Sequence, residues 1–299
     1  MCTFEAEMEK GLSILIPVYN YDCTLLVEEL VRQTANFDCE IIVAEDGSSD
    51  PLTLKANSAI AEKERCRYLK RDGNVGRAAI RNLLAHESTK PWLLFLDCDV
   101  ELKDCNFIAN YLSADESHLV VDGGVSVKQD NGLMNNLRYR YETNELPRHS
   151  VEQRSMNPYR SFRTTNFMVS RQVMIQHPFD ERFKRYGYED VLFGKQLRNA
   201  GISILHIDNA VNIDDLEPND VFVRKTEESL ETLRCFSDDL RGYSRMITFA
   251  EGIHSGCVVR AIKLWHKLMG GLERRILCGK NPNLTIFKLY KLGYYLTLE

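Results

Sequence analysis

Lys90-Pro91-Trp92-Leu93-Leu94-Phe95-Leu96-Asp97-Cys98-Asp99-Val100 is a continuous apolar run that ends abruptly in two carboxylates one residue apart. Five apolar residues in succession, bounded by a proline and by acids, predict a strand buried on both faces, which is the habit of parallel sheets in α/β proteins. The acids then sit at the strand's carboxyl end, the edge of an open α/β sheet where ligands bind. Alternation along the strand points Asp97 and Asp99 to one side and Cys98 away, so both carboxylates can face one cation or one ligand. Such a pair is costly unless neutralised, which favours a bound divalent metal. Taken alone, an Asp-x-Asp serves equally well to cap the next helix.

Upstream, Leu12 to Asn20 reads as a first strand, and Cys39 to Ala44 as a second that runs into Glu45, Asp46 and the turn Gly47-Ser48-Ser49-Asp50. A helical pattern through Leu25, Leu26, Leu30 and Val31 lies between them, so strand, helix and strand make a right-handed βαβ unit. Asp50-Pro51 has the form of a helix N-cap and first helical position. Asp46, at the strand's end, is placed to accept hydrogen bonds from a base or from ribose hydroxyls. Arg67 to Lys70 predicts a short third strand, and Asn74 to Leu84 opens the helix that leads to Asp97. Arg77 and Arg81 share a face of that helix, where paired arginines neutralise phosphate or simply stay solvated.

Downstream, Leu119 to Val125 predicts a strand and a glycine turn. The polar run from Lys128 to Arg163, rich in arginine, is too long for a plain connector and reads as an insertion over the site, mobile until substrate arrives. Phe162 to Ser170 resumes a strand, and Tyr186-Gly187-Tyr188-Glu189-Asp190 precedes an amphipathic helix from Val191 to Ala200 closed by Gly201. Acids at a helix start are favoured by its dipole, and a carboxylate beside glycine and aromatics is also well placed as a general base. Ile202 to His206 predicts a last strand, with a polar, acidic stretch from Asp208 to Asp215.

The 299 residues are 44% hydrophobic and 27% charged, an ordinary globular balance. Nine cysteines without a Cys-x-x-Cys pair predict reduced thiols in a cytosolic protein, neither a disulfide framework nor a zinc site. Met1 to Lys10 carries three glutamates and reads as no signal peptide, and no apolar run has the length of a membrane-spanning helix. The net charge of -5 is unevenly shared: residues 245–299 hold nine basic and three acidic side chains, against 29 and 40 in the remainder.

These pieces, in this order, resemble a family 2 glycosyltransferase of the GT-A fold, the inverting enzymes that use nucleotide-diphosphate sugars. The matching residues are Ile14 to Asn20, Asp46 to Asp50, Asn74-Val75-Gly76 with Arg81-Asn82, Asp97-Cys98-Asp99, and Gly187 to Asp190, and the likeness runs from about Leu12 to Leu233. It implies an α/β, mostly parallel sheet flanked by helices, the GT-A catalytic domain, taken here over 1–240, with a basic amphipathic helical extension over 241–299 read from its own residues. Pro17, Tyr19 and Asp46 would then hold base and ribose, with Arg81 and Asp97 completing the nucleotide-sugar set. Asp99 would bind Mn2+ or Mg2+, Asp190 would deprotonate the acceptor hydroxyl, and Glu189 would orient acceptor or sugar. The donor implied is a nucleotide-diphosphate sugar, a uridine diphosphate sugar in first place, and the acceptor a glycan or lipid-linked saccharide in polysaccharide biosynthesis. In similar chains a histidine follows the stretch corresponding to Asn209-Ala210-Val211, whereas Ile213 stands here. His206 matches another recurring histidine, to be weighed as a metal ligand or as a core residue.

The C-terminal segment lies outside the likeness. Val258, Val259, Ile262, Leu264, Trp265, Leu268, Met269 and Leu272 recur at helical spacing among basic residues. They form either a packing stripe or a basic amphipathic helix for peripheral contact with the inner face of an anionic membrane. Nucleic acid is not among the expected partners. Two rival readings are a non-catalytic, membrane-associated scaffold and a nucleotidyltransferase. The second would carry a glycine-rich loop with a lysine where Pro17-Val18-Tyr19-Asn20 stands.

Overall fold

The apolar runs become strands of one sheet in the computed structural model, which describes residues 11–213 and 216–298. The expectations for Met1 to Lys10, and for Asp214 and Asp215, lie outside the described residues. Ten strands form: β1 (Leu12–Val18), β2 (Cys39–Asp46), β3 (Cys66–Arg71), β4 (Trp92–Leu96), β5 (Val100–Leu102), β6 (Val120–Asp122), β7 (Val125–Ser126), β8 (Asn166–Ser170), β9 (Ile204–His206) and β10 (Val211–Ile213). Seven of them make the central sheet in the order β3-β2-β1-β4-β8-β6-β9, in which β8 runs antiparallel to both its neighbours and the remaining pairs are parallel. Strand order reverses between β1 and β4, so the crevice expected of a doubly wound sheet opens beside Tyr19 and Asp97.

Alternation along the central strands feeds two cores. Ile14, Ile16, Leu94 and Leu96 face one cluster, covered by helices Thr24–Thr34 and Phe107–Leu112; Leu15, Leu93 and Phe95 face the other, covered by helices Arg77–Glu87, Arg171–Gln176 and Glu189–Asn199. Asp50 caps helix Pro51–Ser58 as expected, accepting the Thr53 amide at 2.9 Å. A second sheet, β5-β10-β7, hangs below the Asp99 turn and pairs Ile213 with Val100. Gly124, at a left-handed φ of +84°, makes the turn between β6 and β7 that divides the two sheets, where a side chain would strike the Arg154 guanidinium.

The run over 128–163 is helical. It forms three short α-helices, Leu137–Glu145, Val151–Met156 and Pro158–Ser161, and two 3-10 turns, Asn131–Leu133 and Leu146–Arg148, fastened by Arg154, which is buried. Arg154 donates to the Asp122 carboxylate at 2.5 Å, the Ile207 carbonyl at 2.7 Å and the His149 carbonyl at 3.0 Å. Helix Asn219–Cys235 packs with the C-terminal helices across position 240/241. Leu277, Phe287 and Tyr290 pack on Leu137 and Val223, and Tyr295 packs with Leu230, Leu192 and Phe183. Replacing Arg154 by methionine strands the buried Asp122 carboxylate, so Arg154→Met should lower unfolding free energy by about 3–5 kcal/mol in urea titration.

Candidate active site

The carboxyl ends of β1, β2 and β4 wall a cleft of about 440 Å³. Pro17, Tyr19, Asp46, Arg81, Asp97 and Asp99 all line it. Tyr19 is half exposed, free to lie against a planar base, and the loop after it is pinned by Asn20, whose side-chain oxygen accepts the amides of Ser49 and Asp50 at 2.8 and 3.3 Å. Asp46 has a structural share in this wall. Its two oxygens accept the amides of Val75 and Gly76 at 2.9 and 3.1 Å, while burial pushes its carboxyl above the usual range against those bonds.

A second cleft, of about 340 Å³, shares Asp97, Asp99, Arg77 and Tyr186 with the first and holds Glu189 and Asp190 on its far wall. Asp97 and Asp99 thus border both clefts, with Asp46 in the first and Glu189 and Asp190 in the second. Gly187 and Tyr188, both at positive φ, start helix Glu189–Asn199 from a tight turn; a side chain at Gly187 would meet Ser229 Cβ at 2.8 Å. Backbone held in this sparsely populated region is strain of the kind that functional sites retain.

Arg81 links the two walls. Buried in helix Arg77–Glu87, it donates to Asp97 at 2.7 Å and to Glu189 at 3.4 Å, and its Nε has no acceptor among the described residues. Its expected contact with the nucleotide is therefore joined, and largely taken up, by this bridge between acids. Asp190 is pushed up to about 6, first by burial and then by the Glu189 charge, against the Val191 amide at 2.8 Å and the charges of Arg163 and Arg81. Asp99 is raised by burial and by Asp97, opposed by Arg138 and Arg77. Paired carboxylates of this kind suit a hard cation bound through oxygens. The apolar Ile213, opposite Val100 in β10, adds no nitrogen donor beside them.

His206 is the expected residue that is not brought to the cleft. It ends β9, buried, with Nδ1 taking the Arg154 guanidinium at 3.0 Å and Nε2 donating to the Pro158 carbonyl at 3.1 Å. Both ring nitrogens are therefore engaged, which corrects the metal-ligand expectation in favour of a satisfied core histidine. Sequence reasoning missed Tyr186 and Lys225, which border both clefts. Arg77 lies 4.5 Å over the Tyr186 ring and Lys225 is 3.2 Å from Glu217. No local signal separates Lys225 from the other lysines of the chain.

The family model for glycosyl transferase family 2 matches residues 13–178. The chain belongs to glycosyl transferase family 2. Among curated proteins it is 27% identical over 237 residues to a chondroitin synthase of Pasteurella multocida, covering 67% of this chain and 24% of that protein. A chondroitin synthase of Escherichia coli is 24% identical over 242 residues, covering 67% and 34%. The chain thus spans between about a quarter and about a third of the length of these relatives. Among solved structures, the mannosyltransferase PcManGT of Pyrobaculum calidifontis, in complex with GDP-Man and Mn2+, superposes with a TM-score of 0.56 at 12% identity over 95% of this chain and 84% of that one. TarS of S. aureus in complex with UDP-GlcNAc gives 0.53 at 16% identity, over 96% and 90%. At such identities the likeness establishes the GT-A fold. Since the Arg81 charge favours ionised Asp190, Arg81→Gln should raise the pH at which the Asp190 carboxyl titrates by NMR, from about 6 in the native chain.

Proposed function

We propose that this chain is an inverting, metal-assisted glycosyltransferase that moves a sugar from a nucleotide-diphosphate sugar, a uridine diphosphate sugar in first place, to a hydroxyl of a glycan or lipid-linked saccharide. The observation that carries the reading is the single opening that joins Asp99 to Asp190. Tyr19, Pro17 and Asp46 hold the base and ribose, and Asp97, steadied by Arg81, faces the sugar. Asp190 accepts the proton of the acceptor hydroxyl as its oxygen attacks the anomeric carbon. The bond to the diphosphate breaks on the opposite face, giving one displacement with inversion. A carboxyl that titrates near 6 is ionised at neutral pH yet basic enough for this task.

Arg77, Arg138 and Lys225 border the cleft where the leaving diphosphate gathers charge. Mn2+ or Mg2+, which Asp99 would hold, would supply further charge stabilisation there. Solved neighbours lend support: GDP-Man and Mn2+ accompany PcManGT, and UDP and Mn2+ accompany glucosyl-3-phosphoglycerate synthase of Mycobacterium tuberculosis. The presence of Asp97, Asp99 and Asp190 around one opening disfavours the scaffold alternative.

Supplied with a panel of nucleotide sugars and Mn2+, the protein should hydrolyse or transfer one of them, and Asp190→Asn should cut that turnover about 10²–10⁴-fold while donor affinity survives. Chelation or Asp99→Ala should weaken donor binding; unchanged binding in both would remove the metal from the reading. The acid limb of kcat/KM should fall through a pH of about 6, because protonated Asp190 cannot take the hydroxyl proton.

Peripheral membrane contact belongs to the same reading. Helix Gly256–Leu277 buries Gly270, Glu273 and Leu277, and leaves Leu264 58%, Trp265 47% and Leu268 71% exposed. Arg260, Lys263 and Lys267 flank this apolar stripe, a pairing that suits an anionic lipid surface. No helix of the described residues is long and apolar enough to cross a membrane. The protein should float with vesicles containing phosphatidylglycerol, but not with phosphatidylcholine alone, and Leu264→Glu with Leu268→Glu should abolish flotation. Self-association through the stripe, seen by sedimentation without vesicles, would contradict it.

A further inference from the structure

Beyond Asp190 the opening continues into a third cleft, of about 490 Å³, walled by helices Leu137–Glu145, Asn219–Cys235 and Leu284–Thr297. It shares Tyr141, Tyr186, Tyr188 and Val191 with the cleft that holds Asp190, and Tyr19 is not part of its lining. Aromatic rings of Tyr141, Tyr188, Phe222, Tyr243 and Phe287 line it. Its charges are unbalanced: Arg148, Arg160, Lys225, Arg245, Lys288 and Lys291 face Glu142 and Glu145. Both acids are already engaged. Glu145 accepts Arg148 at 2.7 Å and stands 3.9 Å from Arg245, and Glu142 is 3.5 Å from Arg163.

Lys291 is the key cation. Its ammonium lies 4.9 Å from the Tyr141 ring centre and 4.5 Å from that of Phe287, and among the described residues no carboxylate reaches it within ion-pair distance. Lys288, three residues earlier on the same helix face, lines the same cleft. A positive, aromatic-lined groove in a chain of net charge -5 is a local feature and not a reflection of overall charge. We propose that this groove binds an acceptor saccharide bearing negative charge, as carboxylate or phosphate along its chain, with Lys291 as the positioning cation. Its role as an acceptor site rests on the transferase reading above. Burial lowers the Lys291 ammonium to about 8 against the opposing charge of Glu145, and an anion beside it would raise it again.

The test is calorimetric titration of the whole protein with three probes: a hexasaccharide alternating hexuronic acid and N-acetylhexosamine, the same hexasaccharide with its carboxyls reduced to alcohols, and an oligomer of glycerol phosphate. At least one charged probe should bind about tenfold more tightly than the neutral one, and which of the two does so assigns carboxylate or phosphate. Lys291→Met keeps the stem between both rings and should erase that preference. Arg245→Gln, on a different helix and exposed, should reduce it even where Lys291→Met folds poorly. Equal binding of charged and neutral probes, or a preference untouched in both variants, overturns the proposal. Donor turnover by the native protein is read separately: absence of both hydrolysis and transfer, with preserved charge preference, would defeat the transferase reading and leave the anion groove standing.

Discussion

A single buried guanidinium holds the two halves of the site in register. Arg81 reaches Asp97 at the end of β4 and Glu189 at the start of helix Glu189–Asn199, side chains that are distant in sequence and belong to opposite walls of the opening. An arginine this deeply buried is tolerable only while its carboxylate partners stay ionised, so the bridge ties the charge state of the acids to their geometry. Asp190, next to Glu189, inherits that environment: burial and the neighbouring carboxylate raise its pKa, and Arg81 and Arg163 restrain the rise.

The sheet supplies the constraint that Arg81 exploits. Parallel strands bring β1, β2 and β4 to one edge with their carboxyl ends aligned, so Tyr19, Asp46 and Asp97 become neighbours without any direct sequence relation. The small sheet β5-β10-β7 then returns the chain beneath Asp99, and the C-terminal helices extend the opening past Asp190. Packing of Tyr295 against Phe183, Leu192 and Leu230 makes that extension part of the catalytic body and not a detachable appendage.

Much of this was legible in the chain because it depends on short-range pattern. An apolar run ending in acids, an Asp-Pro helix start and an aromatic glycine turn before Glu189-Asp190 each carry their reading within a few residues. What was not legible depends on partners far away in sequence. Arg81 looked like half of a helix-face pair until Glu189 met it, and His206 stood open between ligand and core residue until Arg154 and Pro158 took its two nitrogens. The apolar positions of helix Gly256–Leu277 suggested a packing stripe, yet Leu264, Trp265 and Leu268 face outward because the body takes the other side of the helix. Periodicity locates a stripe; it does not say what covers it.

The account stands on one carboxylate, Asp190, acting from the face opposite the leaving diphosphate. Proton NMR of the first transferred product, followed during turnover of an α-linked nucleotide sugar, reads this directly through the anomeric coupling. A β-linked product is predicted, and an α-linked first product would contradict single displacement by a hydroxyl that Asp190 activates.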